Sequence, residues 1–175
     1  MTVIEKITEI NEVIKECKEG GFFVTYNHPN WSLEDLNLYT KLEGLDAMEI
    51  YNTSASIIGF LDVNEKDYEH MVKSGKYISC IGADDNHNFA DRDEKPGFFD
   101  SFKSWTCIKA KELKYDSVIE AMVNKHLYAS QGPEIYELYV EDGQVYIKDQ
   151  ILNVSKDISI PFAIHLDHGK SVELC

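Results

Sequence analysis

Phe22-Phe23-Val24-Thr25-Tyr26-Asn27-His28-Pro29 is an apolar, β-branched run that ends in an amide, an imidazole and a proline. Its five leading residues do not alternate with polar ones, which predicts a strand buried on both faces, as in a parallel sheet. Upstream, Val3, Ile4, Ile7, Ile10, Val13, Ile14 and Cys17 recur at spacings of three and four. That periodicity predicts one amphipathic helix with all seven on a single stripe, stopped by Gly20-Gly21.

Downstream the alternation continues. Ser32 is placed to cap a helix carrying Leu33, Leu36, Tyr39 and Leu42, with Asp35 in capping-box position and Gly44 as the stop. Ala47-Met48-Glu49-Ile50-Tyr51 reads as the next strand. A helix over 65–73 follows, with Asn64 as its cap and Gly75 as its stop, and then a strand, Tyr77-Ile78-Ser79-Cys80-Ile81. A polar, acidic loop over 84–100 leads to a fourth strand, Ser104-Trp105-Thr106-Cys107-Ile108, and to a helix capped by Asp116 with Tyr115, Val118, Ile119, Met122 and Val123 in register. Helices alternating with strands at this spacing predict βαβ units and a parallel sheet or barrel over residues 1–132.

From residue 133 the texture changes. Ile135-Tyr136-Glu137-Leu138-Tyr139-Val140 and Gln144-Val145-Tyr146-Ile147 flank an Asp142-Gly143 turn, a hairpin signal. Ile158-Ser159-Ile160 and Phe162-Ala163-Ile164 flank Pro161, which suits an edge or a bend. Residues 133–175 therefore read as a small antiparallel β extension whose tyrosines 136, 139 and 146 pack the hairpin.

The 175 residues suit one ordinary domain with an appendage. Hydrophobic residues are 43% and charged residues 27%, a globular balance that argues against disorder. The formal net charge is −14, and Arg92 is the one arginine. Nucleic-acid binding rests on clustered cations, so that class of partner is excluded. No basic-then-apolar leader opens the chain and no apolar run is long enough to cross a bilayer, so a membrane partner is not expected. Cys17, Cys80, Cys107 and Cys175 are scattered without a Cys-x-x-Cys pair. They read as buried free thiols in a reducing cytoplasm.

Ligands of parallel α/β folds gather at the carboxyl ends of strands. Two such ends carry metal-ligand types, Asn27-His28-Pro29 and Gly82-Ala83-Asp84-Asp85-Asn86-His87. In an extended segment Asp85 and His87 face the same way, a carboxylate beside an imidazole that suits a borderline divalent cation. Asp84 then faces the other side, toward backbone or a ligating residue. Each signal alone also describes a turn or a satisfied histidine. His165 and His168 read as turn residues of the extension, and His70 and His126 as surface or helix-end residues.

Phe22-Phe23-Val24-Thr25-Tyr26-Asn27-His28-Pro29, Gly44-Leu45-Asp46-Ala47-Met48-Glu49-Ile50-Tyr51-Asn52 and Gly82-Ala83-Asp84-Asp85-Asn86-His87-Asn88, taken in order, resemble the C-terminal half of the polymerase and histidinol phosphatase (PHP) family. Leu127-Tyr128-Ala129-Ser130-Gln131-Gly132-Pro133-Glu134-Ile135 is similar to that family's segment leading into a β extension. The resemblance implies the back half of a distorted seven-stranded (β/α) barrel that hydrolyses a phosphate ester through metal-activated water. Carried over by position, His28, Asp85 and His87 match metal ligands. Glu49 and Asn52 match a Glu-x-x-Asn stretch that supports the site, and Arg92 falls in the loop at its mouth, where it could meet phosphate or simply be solvated.

The family's opening His-x-His strand has no counterpart here, because no histidine precedes His28. The resemblance thus implies a site that holds at most one zinc, manganese or iron ion in this chain alone, and a chain inactive without an N-terminal half. Its substrate would be a phosphorylated small molecule. The alternative is a non-catalytic PHP-like module that self-associates or docks to a partner, since half a barrel leaves sheet edges unpaired.

Overall fold

A computed structural model describes residues 2–57, 63–87, 100–141, 144–150, 162–166 and 170–174. The chain is mixed α/β, and none of its small sheets closes into a barrel among these residues. Helix α1 (Val3–Glu19) opens it, with Thr2 and Glu5 forming a capping box at its start. Strand β1 (Thr25–Tyr26) leads to two single-turn helices, α2 (Pro29–Ser32) and α3 (Leu36–Tyr39). Strand β2 (Ala47–Asn52) runs directly into α4 (Thr53–Ile57), and α5 (Glu65–Lys73) precedes β3 (Ser79–Ala83). These three strands form a parallel sheet in the order β1-β2-β3.

The core lies between this sheet and its helices. Ile14 of α1, Leu38 and Tyr39 of α3, Met48 and Ile50 of β2, and Tyr68 and Met71 of α5 join one buried cluster with Ile78 and Cys80. Gly44 takes a left-handed conformation (φ +86°) where an added Cβ would lie 3.1 Å from the Ile14 side chain. Both conditions favour glycine at that turn. Burial pushes the Cys80 thiol above its ordinary range. Cys17 and Cys107 are half-buried free thiols.

Several expectations are corrected. The predicted α1 stripe is narrower than drawn: Ile7, Ile10 and Ile14 meet the core, whereas Val3, Ile4 and Val13 are exposed. Phe22 is also exposed and lies outside β1, because the chain is still closing the α1 end there; the Phe22 amide donates to the Cys17 carbonyl. The single helix expected after Ser32 is broken at Leu33, which is left-handed (φ 52°) and exposed. Asp35, not Ser32, caps the second piece by accepting from the Asn37 amide. Asn64 begins α5 without a side-chain capping bond, since its Oδ1 accepts from the Asn30 backbone N–H instead.

The fourth strand does not extend the parallel sheet. Strand β4 (Trp105–Ile108) pairs antiparallel with β5 (Leu127–Ser130) in a sheet of its own. Helix α6 (Tyr115–Val123) lies between them, with Lys114 rather than Asp116 at its N-cap. Lys125, left-handed at φ 62°, turns the chain straight back, so that the His126 carbonyl meets the Lys109 amide and starts the ladder. Contact with β3 runs through Thr106, whose hydroxyl accepts from the Gly82 amide (3.1 Å) and donates to its carbonyl (3.0 Å).

The hairpin β6 (Glu134–Glu141) and β7 (Gln144–Gln150) is antiparallel, with Tyr139 opposite and stacked on Tyr146. Strands β8 (Phe162–Leu166) and β9 (Lys170–Leu174) form a further antiparallel pair. His165 falls on β8 rather than in a turn. Asp142, Gly143, the stretch Ile158-Ser159-Ile160, Pro161, His168 and Cys175 lie outside the described residues. No helix among the described residues is long and apolar enough to cross a membrane.

Candidate functional site

The parallel order β1-β2-β3 brings three strand ends to one edge of the sheet, and the residues singled out from the sequence sit there. His28 follows β1, Glu49 and Asn52 are on β2, and Asp84, Asp85 and His87 follow β3. Glu49 and Asn52 are three residues apart, which in a regular strand sends them to opposite faces. The β2–β3 register slips between Glu49 and Tyr51, a bulge that re-aims the strand end. The Asn52 amide nitrogen therefore reaches both Glu49 Oε2 and Asp85 Oδ2, at 3.0 Å each.

Glu49 is buried and also accepts the His28 backbone N–H at 2.7 Å. One carboxylate thus ties β1's exit to β2, and Asn52 ties β2 to β3's exit. His28 is left-handed at φ 32° and Asp85 at φ 48°. Both are conformations that residues with a Cβ adopt only when their surroundings hold them. The Glu49 bond to the His28 amide and the Asn52 bond to the Asp85 carboxylate supply that hold.

Desolvation pushes the Glu49 carboxyl above its ordinary value of 4.5, the Asn52 and His28 hydrogen bonds oppose the rise, and the nearby Asp85 charge adds to it. A carboxyl raised in the folded state binds its proton more tightly there than in the unfolded chain. Its contribution to stability is therefore full below about pH 4.5 and is lost as the pH rises through the folded value. Glu49→Gln keeps an acceptor oxygen and removes the titration. The variant is expected to gain stability relative to the parent as the pH climbs above 4.5, read from urea midpoints across that range. A constant difference between the two proteins at every pH would refute this.

The sequence reading of an extended segment after β3 is corrected, because Asp85 (φ 48°) turns the chain there. Asp84 points away from Asp85 toward the start of β4. Its carboxylate accepts the backbone N–H groups of Phe102, Lys103 and Ser104, the last two at 2.9 Å, and the Thr53 hydroxyl at 3.2 Å. Asp100 accepts the His87 N–H at 2.8 Å. Residues 84–87 and 100–104 are stitched into one unit, and Gly82 fits beneath it. A Cβ at position 82 would lie 2.6 Å from Ser104 Oγ and 3.2 Å from the Trp105 carbonyl oxygen.

The imidazoles are turned toward hydroxyls. His28 Nδ1 lies 3.0 Å from Ser32 Oγ, and its ring meets Trp31 edge-on at 5.3 Å. His87 Nδ1 lies 3.2 Å from Ser54 Oγ and also contacts the Asp85 carbonyl. Two imidazoles and a carboxylate suit zinc, manganese or iron by donor type. By arrangement they do not make a metal centre: among the described residues no three His, Cys, Asp or Glu side chains converge as one. Arg92 lies outside the described residues.

Sequence reasoning missed Thr53, Ser54 and Asp100 and gave Ser32 only a capping role; each of the four holds one of these groups. The signal for two of them was present. Asn52-Thr53-Ser54 directly after a strand is a cap motif, and Asn52 Oδ1 does accept the Ala55 amide at 2.8 Å to start α4.

No family model matches the chain, and no curated protein matches it. Among solved structures, it is similar to a two-domain protein from Bacteroides vulgatus described as containing a predicted PHP-like metal-dependent phosphoesterase. The identity is 16% and the TM-score 0.45, over 79% of this chain and 45% of that one. The chain thus spans less than half the length of that structure, and a likeness at this level does not assign it to a family.

Proposed function

We propose that this chain is the C-terminal portion of a metal-dependent phosphoesterase of PHP type, acting on a phosphorylated small molecule and incomplete by itself. The observation that carries the reading is the shared end of the sheet, where His28 follows β1, Asp85 and His87 follow β3, and Glu49 and Asn52 of the intervening β2 bond to the His28 N–H and the Asp85 carboxylate. The buried Glu49–Asn52 pair orients the exits of β1 and β3. Asp84 fixes the turn that presents Asp85 and His87. Two imidazoles and one carboxylate, which do not converge in the chain alone, would hold at most one divalent ion, and the remaining ligands would come from a segment carrying a His-x-His strand. At net charge −14 the protein would repel a phosphate without such cations.

A second reading, a non-catalytic module that keeps the same architecture, is favoured by the absence of three converging donors among the described residues. One experiment separates the two. The chain is titrated with Mn²⁺ or Zn²⁺, then assayed on a generic phosphomonoester alone and together with a PHP-type N-terminal half. The enzyme reading expects weak binding of one ion and no turnover alone, then metal-dependent turnover on complementation. That turnover should fall about 100-fold or more in His28→Ala and Asp85→Asn. No turnover after complementation, with both pieces folded and bound, would select the module.

A further inference from the structure

Among the described residues the outer side of β1 and of the residues flanking it has no backbone partner. On the β2 side the Val24 carbonyl accepts the Asp46 N–H at 2.8 Å and the Ala47 N–H at 3.4 Å, the Val24 N–H donates to the Asp46 carboxylate and the His28 N–H to Glu49, and Thr25 and Tyr26 align with Ala47 and Met48. Val24 and Tyr26 therefore direct their main-chain groups inward, and the N–H and C=O of Phe23 and Thr25 face away from β2. Among the described residues nothing pairs with that side, although Phe23 and Thr25 are half-buried. A strand edge of this kind is a template for another strand.

Charge selects the occupant. Between Glu19 and Glu34 the chain carries no Asp, Glu, Lys or Arg for fourteen residues, in a protein whose net charge is −14. Elsewhere exposed apolar groups are interleaved with carboxylates: Val3, Ile4 and Val13 on α1 sit among Glu5, Glu9, Glu12 and Glu16. Two copies approaching through α1 would bring like charges together, whereas two copies approaching through residues 20–33 would not. Exposed Phe22, Trp31 and Leu33 lie in the same uncharged stretch.

We propose that β1 is a homodimer edge, pairing antiparallel with β1 of a second copy about a two-fold axis at Thr25. This register is self-complementary. Thr25 exchanges both main-chain bonds with Thr25 of the other copy, and Phe23 does so with Asn27, because residues 23, 25 and 27 all face outward. The two parallel sheets then become one continuous six-stranded sheet across the axis. The inference concerns the chain by itself and does not depend on phosphate turnover; an N-terminal half adding its strand to the same edge would displace the second copy.

Sedimentation equilibrium of the full chain, from low to high micromolar, tests it. The expected species is a dimer of the 20.0 kDa chain. Thr25→Pro removes an outward N–H without touching the β1–β2 ladder, and Thr25→Lys places like charges at the axis. Each should weaken dimerisation about tenfold or more while circular dichroism stays unchanged. Hydrogen exchange offers a readout that needs no variant: the Phe23 and Thr25 amides should be protected in the dimer and exchange freely on dilution. Ile4→Glu, on the exposed face of α1, should leave the dimer intact. A monomer at every concentration overturns the proposal, as does a dimer that survives both Thr25 variants or is lost with Ile4→Glu.

Discussion

Asp84→Ala is expected to lower folding stability by about 3 kcal/mol, which for a chain of this size is a drop in Tm of roughly 6–12 °C. The carboxylate accepts three consecutive backbone N–H groups, from Phe102, Lys103 and Ser104, together with the Thr53 hydroxyl. Hydrogen bonds to a charged acceptor contribute more than neutral ones, and although the exposed Phe102 and Lys103 amides regain water, the buried Ser104 and Thr53 donors recover only part of theirs. Asp84→Asn retains the Oδ1 acceptor used by Lys103, Ser104 and Thr53, so its cost should be smaller, about 1–2 kcal/mol. Urea unfolding of the two variants checks the order. A loss below about 1 kcal/mol for alanine would mean the turn holds itself. The variant also loosens the seat of His87, whose N–H is held by Asp100 within the same stitched unit.

Met71→Ala should cost a similar amount, about 2–5 kcal/mol. Met71 is fully buried on α5 and packs in the cluster that includes Met48, Tyr39 and Ile78. Truncation removes the buried thioether and leaves a cavity that the sheet can only partly close, because β2 is held on both sides by β1 and β3. The thiol of Cys80 belongs to the same cluster and reports on it. In the parent, burial shields Cys80 and keeps its pKa up, so reaction with a thiol reagent requires opening. Site-resolved alkylation should show Cys80 reacting at least tenfold faster in Met71→Ala, in step with the lower urea midpoint. An unchanged Cys80 rate alongside a lowered midpoint would place the damage outside this cluster.

The elements that sequence described best are those whose pattern is local. α5 runs from Glu65 to Lys73 as expected ahead of the Gly75 stop, and β2 needed only its run of Ala47-Met48-Glu49-Ile50-Tyr51. The hairpin follows from two apolar-alternating runs on either side of a turn. The errors share a different origin. Phe22 has the composition of a strand, but the α1 terminus claims its amide. Trp105 to Ile108 has the composition of another parallel strand. Its partner was decided by the reversal at Lys125, a left-handed lysine with no glycine to announce it.

The candidate site divides along the same line. The placement of His28, Asp85 and His87 at strand ends was legible from residue type, whereas a supporting role for Glu49 and Asn52 came only from the resemblance and their burial only from the structure. Which of them meet was not legible. The Glu49–Asn52–Asp85 link depends on a register slip between β2 and β3, and the separate path of Asp84 depends on positive φ at Asp85. Both are consequences of pairing between segments some thirty residues apart, and nothing in either segment alone encodes them.

By itself, then, the sequence determined an acidic, arginine-poor chain, a run of helices and strands, and the residue types that gather at the strand ends. The tertiary structure decided the direction of β4, the width of the α1 face, the place of β1 at the end of its sheet and the partners of each site residue. The physical reason is the range of the forces involved. Hydrophobic period and capping act within a few residues, whereas sheet register, bulges and buried hydrogen bonds are settled only when distant strands compete for the same partners.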